Sequence, residues 1–335
     1  MDTNDAANEI YIRQDMRTNQ MPQVTVSVVM CTYNGEKYLK EQIDSILNQT
    51  YPIHELIIQD DRSTDRTVDI VKACQQQDKR VKLYINDVPA GFNYNFSSAF
   101  TKATGEYIAS SDQDDIWRPD KIEVLVGHID NNSLLFHNSL LFTTSITQTS
   151  GMKNPGNILY NELYLLMKPY VPGHECFFHR RILPLFTQAV EQEKNISYDS
   201  LLLLAAVTSG HVKFVNEGLV YWRRHPQATS YNTSGKYNLV DGLFTAIKSL
   251  GDTSGRDMTR RYFQAVRSFP FNDRQTVQVA ENMSKGTLAG ILKTCFICCN
   301  RRKQLYPYTN FLQSSIKSFF TPLYFIRDCS KFVIH

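Results

Sequence analysis

Ser110-Ser111-Asp112-Gln113-Asp114-Asp115-Ile116-Trp117 comes straight after Tyr107-Ile108-Ala109, an apolar segment that reads as a buried strand. Three carboxylates within four residues repel one another, so one pKa rises unless a cation sits among them. Hard oxygen ligands of this kind suit Mg²⁺ or Mn²⁺, usually with phosphate oxygens completing the shell. In an open α/β sheet, ligands bind outside the carboxyl ends of the strands. The stretch therefore offers a metal–diphosphate site, and the alternative is a solvated acidic turn.

Upstream, Val24-Thr25-Val26-Ser27-Val28-Val29-Met30 is β-branched and almost uncharged, like a central strand of a parallel sheet. Thr32-Tyr33-Asn34-Gly35 stops it, and Leu39, Ile43, Ile46 and Leu47 then recur at helical spacing. Leu56-Ile57-Ile58 reads as a second strand that leaves through Gln59-Asp60-Asp61-Arg62-Ser63-Thr64-Asp65. Ser63 or Asp65 can cap the next helix, which buries Val68, Val71 and Cys74. Val81 to Ile85 is a third strand with Asn86 to Gly91 as its exit loop. Phe92, Phe96, Ala99, Phe100 and Ala103 mark a helix that Gly105 closes. After the acidic stretch, Pro119 opens a helix lined by Ile122, Leu125, Val126 and Ile129. This alternation predicts right-handed βαβ crossovers and an α/β fold, a mainly parallel central sheet flanked by helices.

From Ser133 the pattern loosens. Leu134-Leu135-Phe136 and Leu140-Leu141-Phe142 read as a strand pair, Ile158 to Met167 as a helix, and Val171 to Phe178 as a strand carrying Pro172-Gly173-His174. Tyr198-Asp199-Ser200 precedes an all-apolar helix from Leu201 to Val207. His211 to Val215 is another strand, and Leu219 to His225 follows it.

The 335 residues are 42% hydrophobic and 21% charged, as in a globular chain of one or two domains. From Lys285 to His335 eight Lys or Arg meet one Asp, a charge of +7, so the rest carries −4 of the net +3. Such a basic end suits an anionic surface, membrane or nucleic acid. Its helix Leu288, Ile291, Leu292, Cys295, Phe296 and its later aromatics point to a membrane interface rather than nucleic acid, with an ordinary helical cap as the alternative. Val240, Leu243, Ile247 and Leu250 suggest a further helix. Cys31, Cys74 and Cys176 read as buried thiols, and Cys295, Cys298 and Cys299 lack the partners of a zinc site. The polar start and the absence of a long apolar run predict a cytoplasmic protein.

The four strand exits carry related chemistry. Tyr33 can stack on a base, Asp61 can accept from a base imide, and the acidic stretch can hold metal and diphosphate. No G-x-G-x-x-G and no G-x-x-x-x-G-K-[ST] is present, which argues against a dehydrogenase or a P-loop NTPase.

Four ordered motifs resemble family 2 glycosyltransferases of the GT-A fold. They are Val26 to Gly35, Ile57 to Asp65, Ala103 to Ile108 and Asp112 to Trp117. The last is similar to bacterial members that build surface polysaccharides, rhamnosyltransferases among them. The resemblance implies a GT-A domain over 24–230, with a nucleotide-sugar half at 24–118 and an acceptor half at 119–230. A mobile tail at 1–23 precedes it and a helical basic appendage at 231–335 follows.

By motif position, Thr32, Tyr33, Asp61, Asn86 and Asp112 would contact the nucleotide, and Asp114 would ligate Mn²⁺ or Mg²⁺. Asp199 would be the catalytic base, Arg223 and His225 would face the diphosphate, and His174 is a candidate for facing the acceptor. The chain departs from many relatives in having Tyr94 before Asn95 and Tyr198 before Asp199.

The implied activity is inverting transfer of a hexose or deoxyhexose from a UDP- or dTDP-sugar to a glycan or lipid-linked glycan. It would take place at the inner face of the cell membrane, with no nucleic-acid partner. The alternative is a non-catalytic nucleotide-sugar or glycan binding protein. A nucleotide-sugar pyrophosphorylase would need a Gly-rich, Lys-containing loop where Thr32-Tyr33-Asn34-Gly35 stands.

Overall fold

This computed structural model describes residues 23–154, 159–225, 239–331 and 333. Residues 1–22 of the expected N-terminal tail, the 230/231 boundary, Ile158 and Phe332 lie outside the described residues. One sheet holds β1 (Val26–Thr32), β2 (Glu55–Asp60), β3 (Val81–Ile85), β4 (Tyr107–Ser111), β5 (Ile116–Trp117), β6 (Asn132–Phe142), β7 (Cys176–His179) and β8 (His211–Arg223). Their spatial order is β3-β2-β1-β4-β7-β6-β8-β5. β3, β2, β1 and β4 are parallel neighbours, as are β6 and β8. β7 enters antiparallel between β4 and β6, and β5 is antiparallel to β8.

β1 is buried along its whole length because both sheet faces are covered, which is why it is apolar without alternation. Val28, Met30, Leu56, Ile58 and Ala109 pack on the side of helices Leu39–Leu47, Thr67–Gln77 and Lys121–Val126. Val29, Ile57, Ile108, Phe136 and Phe178 pack on the other side, with helices Phe92–Phe100 and Tyr198–Ser209. Tyr262, Phe263 and Phe325 join that second cluster, so the C-terminal helices share a continuous apolar core with the sheet.

Several elements differ from the sequence expectation. β6 is one strand and not a pair, because its polar centre, His137-Asn138-Ser139, is buried and bonded instead of turning outward. β8 likewise runs through Asn216-Glu217-Gly218, where Gly218 makes room for the Leu140 side chain. Pro172-Gly173-His174 belongs to a short 3₁₀ turn, Gly173–Glu175, that leads into β7. Thr67, not Val68, takes the inward place beside Val71 and Cys74. The Phe92–Phe100 helix ends before Gly105, which lies against the backbone and hydroxyl of Ser27, where a Cβ would not fit. Among the described residues, no helix is long and apolar enough to cross a membrane.

Candidate active site

The exits of β1, β2 and β3 are tied together by backbone bonds. Asp61 N–H donates to the Thr32 carbonyl (2.8 Å) and Asn86 N–H to the Asp60 carbonyl (3.0 Å). Asp60 is the buried hub: its carboxylate accepts from Thr32 Oγ1 (2.8 Å), Ser63 N–H (2.8 Å) and Ser63 Oγ (2.6 Å). The sequence motif points to Asp61 and not to Asp60. Asp61 accepts from Asn86 Nδ2 (2.7 Å), Ala90 N–H (2.7 Å) and Gly91 N–H (2.9 Å), so both its oxygens hold the loop after β3. Gly91 has φ +76°, a conformation that glycine adopts without a Cβ penalty. Tyr33 is 56% exposed, and its backbone is clamped to the acidic stretch by two 3.0 Å bonds with the Gln113 amide. Thr32, Tyr33, Asp61, Asn86 and Asp112 thus lie along one sheet edge.

In the acidic stretch, each carboxylate has a different environment. Asp112 is half-exposed, with Oδ2 3.2 Å from His174 Nδ1. Asp114 Oδ2 lies 2.8 Å from His225 Nε2. Asp115 is fully buried; Oδ1 accepts from Arg223 N–H (2.9 Å), and Oδ2 has no hydrogen-bond partner among the described residues. Burial pushes the Asp115 carboxyl up to about 8; His174 opposes this and the charges of Asp114 and Asp112 add to it. Burial and Asp112 raise Asp114 as well, against His225. Arg223 does not present a free cation: Nη2 pairs with Glu41 (2.7 Å), Nε donates to the Asp114 carbonyl (2.9 Å), and the guanidinium lies over Tyr38 and Phe142.

Behind these carboxylates is a buried polar layer that the sequence did not announce. Lys121 is wholly buried, with Nζ 3.7 Å from the Trp117 ring centroid and donating to the His174 carbonyl (3.1 Å). Burial drags its ammonium down to about 7, against the pull of Asp115 and Glu175. His174 is turned inward, with Nε2 3.0 Å from Ser139 Oγ, which donates to Glu175 Oε1 (2.7 Å). Burial lowers the His174 pKa, but the Asp112 bond and the nearby carboxylates outweigh it and leave a net rise. Of this layer the sequence singles out His174, as a candidate for facing the acceptor; the structure turns it inward, toward Ser139.

Ligand atoms of Asp112, Asp115 and His174 lie within 4.8 Å of one another, a group able to hold a metal ion. The unpartnered Asp115 Oδ2, 4.0 Å from His174 Nδ1, fits that use. Asp114, the expected ligand, stands outside this group and against His225.

Asp199 sits in the first turn of the Tyr198–Ser209 helix and accepts from Ser200 N–H (2.7 Å). Asn93 fixes the helix start: its Oδ1 accepts from Tyr198 N–H (2.6 Å), and its Nδ2 donates to the carbonyls of Lys194 (2.7 Å) and Ile196 (2.6 Å). The Tyr198 ring stacks on Phe96 and its hydroxyl lies against Gly173, whose carbonyl accepts from Ser110 Oγ of β4. A continuous path of contacts therefore joins Asp199 to the strand that delivers the acidic stretch. Burial pushes the Asp199 carboxyl up to about 6; bonds from Ser197 and Ser200 hold it down, and Asp112 adds to the rise.

Residues 27–183 match the family model described as Glycosyl transferase family 2. The chain carries a family 2 glycosyltransferase domain. An uncharacterized glycosyltransferase of Haemophilus influenzae is 32% identical over 160 residues, 44% of this chain and 49% of that protein. The UDP-Glc:alpha-D-GlcNAc-diphosphoundecaprenol beta-1,3-glucosyltransferase WfgD of Escherichia coli is 32% identical over 144 residues, 43% of this chain and 56% of that one. The chain thus spans about half the length of these curated relatives. Among solved structures, S. aureus TarS 1-349 in complex with UDP-GlcNAc superposes with a TM-score of 0.53 over 92% of this chain and 91% of that one, at 13% identity. That likeness concerns the fold, which is GT-A.

Proposed function

We propose that the protein is an inverting glycosyltransferase that moves a hexose or deoxyhexose from a UDP- or dTDP-linked donor to a glycan or lipid-linked glycan. The setting is bacterial surface polysaccharide synthesis at the cytoplasmic face of the membrane. One observation carries this reading: the Asp199 carboxyl, held near 6 by burial, is braced through Tyr198 and Gly173 against the strand that presents Asp112 to Asp115. A base poised near operating pH suits proton abstraction from an attacking hydroxyl. WfgD, whose name gives a UDP-sugar and a diphosphoundecaprenol acceptor, supports the donor and acceptor classes.

In this reading Asp199 takes the proton of the acceptor hydroxyl as that oxygen bonds to the anomeric carbon and the bond to the nucleoside diphosphate breaks. Tyr33 stacks on the base and Thr32 borders it. Asp61 and Asn86 exchange their loop bonds for the nucleoside, so donor binding loosens residues 86–91. Asp112, with Asp115 and His174 and bordered by Asp114, would hold Mg²⁺ or Mn²⁺. Such an ion supplies neutralisation of the departing diphosphate. Arg223 and His225 orient the Asp114 side of that loop. Residues 24–230 form the catalytic unit, and the helices beyond support it.

The test is a thermal-shift panel of UDP-, dTDP- and GDP-sugars with each metal, because a ligand bound only by the native state raises its apparent stability. The expected result is a metal-dependent rise with a UDP- or dTDP-sugar, followed by release of free nucleoside diphosphate when an acceptor is added. A rise without turnover in a polysaccharide-producing extract would leave a binding protein instead.

A further inference from the structure

Between Glu281 and Asp328 there is no Asp or Glu, while Lys285, Lys293, Arg301, Arg302, Lys303, Lys317 and Arg327 are all present. The helix Leu288–Asn300 in this stretch has two apolar faces. Ile291, Cys295 and Cys298 turn inward. Leu288, Leu292 and Phe296, at steps of four residues, face outward and are 58%, 52% and 57% exposed. The Phe311–Phe319 helix packs beside it and opens with Phe311 and Leu312, both exposed; the rings of Phe296 and Phe319 meet across the two helices. Two packed helices that both expose large apolar side chains mark a surface built to be covered.

The charges around this patch identify the cover. Lys285, Lys293 and Lys303 are exposed and form no ion pair among the described residues, and Arg302 lies over the Phe311 ring at 4.4 Å. Other cations of the C-terminal helices are in part matched: Arg260 pairs with Asp257, Arg261 with Glu193, and Arg301 with Asp273, whereas Lys248, Arg267 and Arg274 form no ion pair among the described residues. A second copy docked on this face would set cation against cation, so self-association is disfavoured. An anionic bilayer takes both features at once: apolar side chains enter the acyl boundary and ammonium groups meet headgroup phosphates. No described helix is long enough to span, so the contact is with one leaflet.

We propose that Leu288, Leu292, Phe296, Phe311 and Leu312, rimmed by Lys285, Lys293, Arg302 and Lys303, dock the protein onto an anionic lipid surface. This deepens the membrane setting of the proposed function, and its test reads lipid binding, which can succeed or fail independently of sugar transfer. The test is co-sedimentation of the full chain with phosphatidylcholine vesicles, with or without phosphatidylglycerol, across a salt series. The wild type should bind the anionic vesicles. Lys293→Gln with Lys303→Gln should weaken binding about fivefold for each charge removed and flatten its salt dependence. Leu292→Gln with Phe296→Gln should leave only weak binding that salt abolishes. These side chains are exposed, so folding and any donor-induced thermal shift should be unchanged. No vesicle binding by the wild type, or equal binding by all variants, overturns the proposal. So does concentration-dependent self-association that the Leu292/Phe296 change removes, or preferential binding of a short oligonucleotide that the Lys change removes.

Discussion

Glu55 and Asp115 are both buried carboxylates of the same sheet, at opposite ends of its strands. Glu55 opens β2. Its Oε1 accepts from Ser27 Oγ (2.6 Å), Thr104 N–H (2.7 Å) and Thr104 Oγ1 (2.7 Å), and its Oε2 meets Lys82 Nζ at 2.6 Å. Asp115 follows β4 and has one bond and one unpartnered oxygen. Burial raises both pKa values, yet Glu55 ends pulled down to about 2 and Asp115 pushed up to about 8. Depth and partners both make the difference: Asp115 is the more deeply enclosed and lies beside Asp114 and Asp112, whereas bonds from Lys82, Ser27 and Thr104 hold Glu55 down. An unsatisfied buried group costs roughly 1–3 kcal/mol. At the carboxyl end of β4 a ligand can satisfy it; Trp117 Nε1 and His137 Nε2 are further buried atoms of the sheet with no hydrogen-bond partner among the described residues. The amino ends of the strands are built for stability, and the carboxyl ends are left incomplete.

The sharpest way to break this contrast is at the incomplete end. Asp199→Asn keeps a side-chain oxygen able to accept from Ser200 N–H in the first turn of the helix. Turnover should fall by roughly 10² or more, with the melting temperature held. The pKa of this carboxyl is raised in the folded state. Its favourable contribution to stability is therefore complete below the unfolded value near 3.8 and lost as pH rises through about 6. The Asn variant should be no less stable at pH 7. The working base is the ionised form, so kcat/KM of the wild type should drop as pH falls through about 6. Near-normal turnover, or a variant that fails to fold, would make Asp199 a structural residue of the helix's first turn.

How much of this was legible follows the same division. β1 to β4 and their exits could be read because doubly covered strands are continuously apolar, as in Val28-Val29-Met30. Asp60 could not be separated from Asp61 by motif; only the register that sets Thr32 beside Asp60 makes it the hub. β6 was split in two because His137-Asn138-Ser139 reads as a polar break, and only the tertiary structure buries and bonds it. Lys121 looks like a solvent-facing helix residue, and nothing in its neighbours shows that it lies under Trp117. In the Leu288–Asn300 helix the apolar positions were visible, but which of them faces outward is decided by the Phe311–Phe319 helix beside it.

A second, smaller effect separates the carboxylates of the acidic stretch. Asp112→Asn should weaken metal-dependent donor binding by about tenfold to a hundredfold, measured calorimetrically with and without Mn²⁺. Asp114→Asn should cost less, because Asp114 already pairs with His225. The reverse order would make Asp114 the ligand and His174 only a brace for Asp112.

The smallest effect tests the complete end. Glu55→Gln keeps the size of the side chain but removes the charge that meets Lys82, and its amide cannot accept all four bonds. A stability loss of about 1–2 kcal/mol follows from weakened bonds to partly buried donors. The pH dependence gives the sharper reading. The Glu55 pKa is depressed on folding, so its stabilisation is fully present above the unfolded value near 4.5 and disappears as pH falls toward about 2. Denaturant midpoints of wild type and variant should therefore differ at pH 7 and converge as pH falls through that window. Activity per folded molecule should not change, since Glu55 lies at the opposite end of the strands from Asp112. A constant gap between the two midpoints at all pH values would mean that Glu55 acts by shape alone. A fall in turnover without a fall in stability would remove the division between the two ends of the sheet.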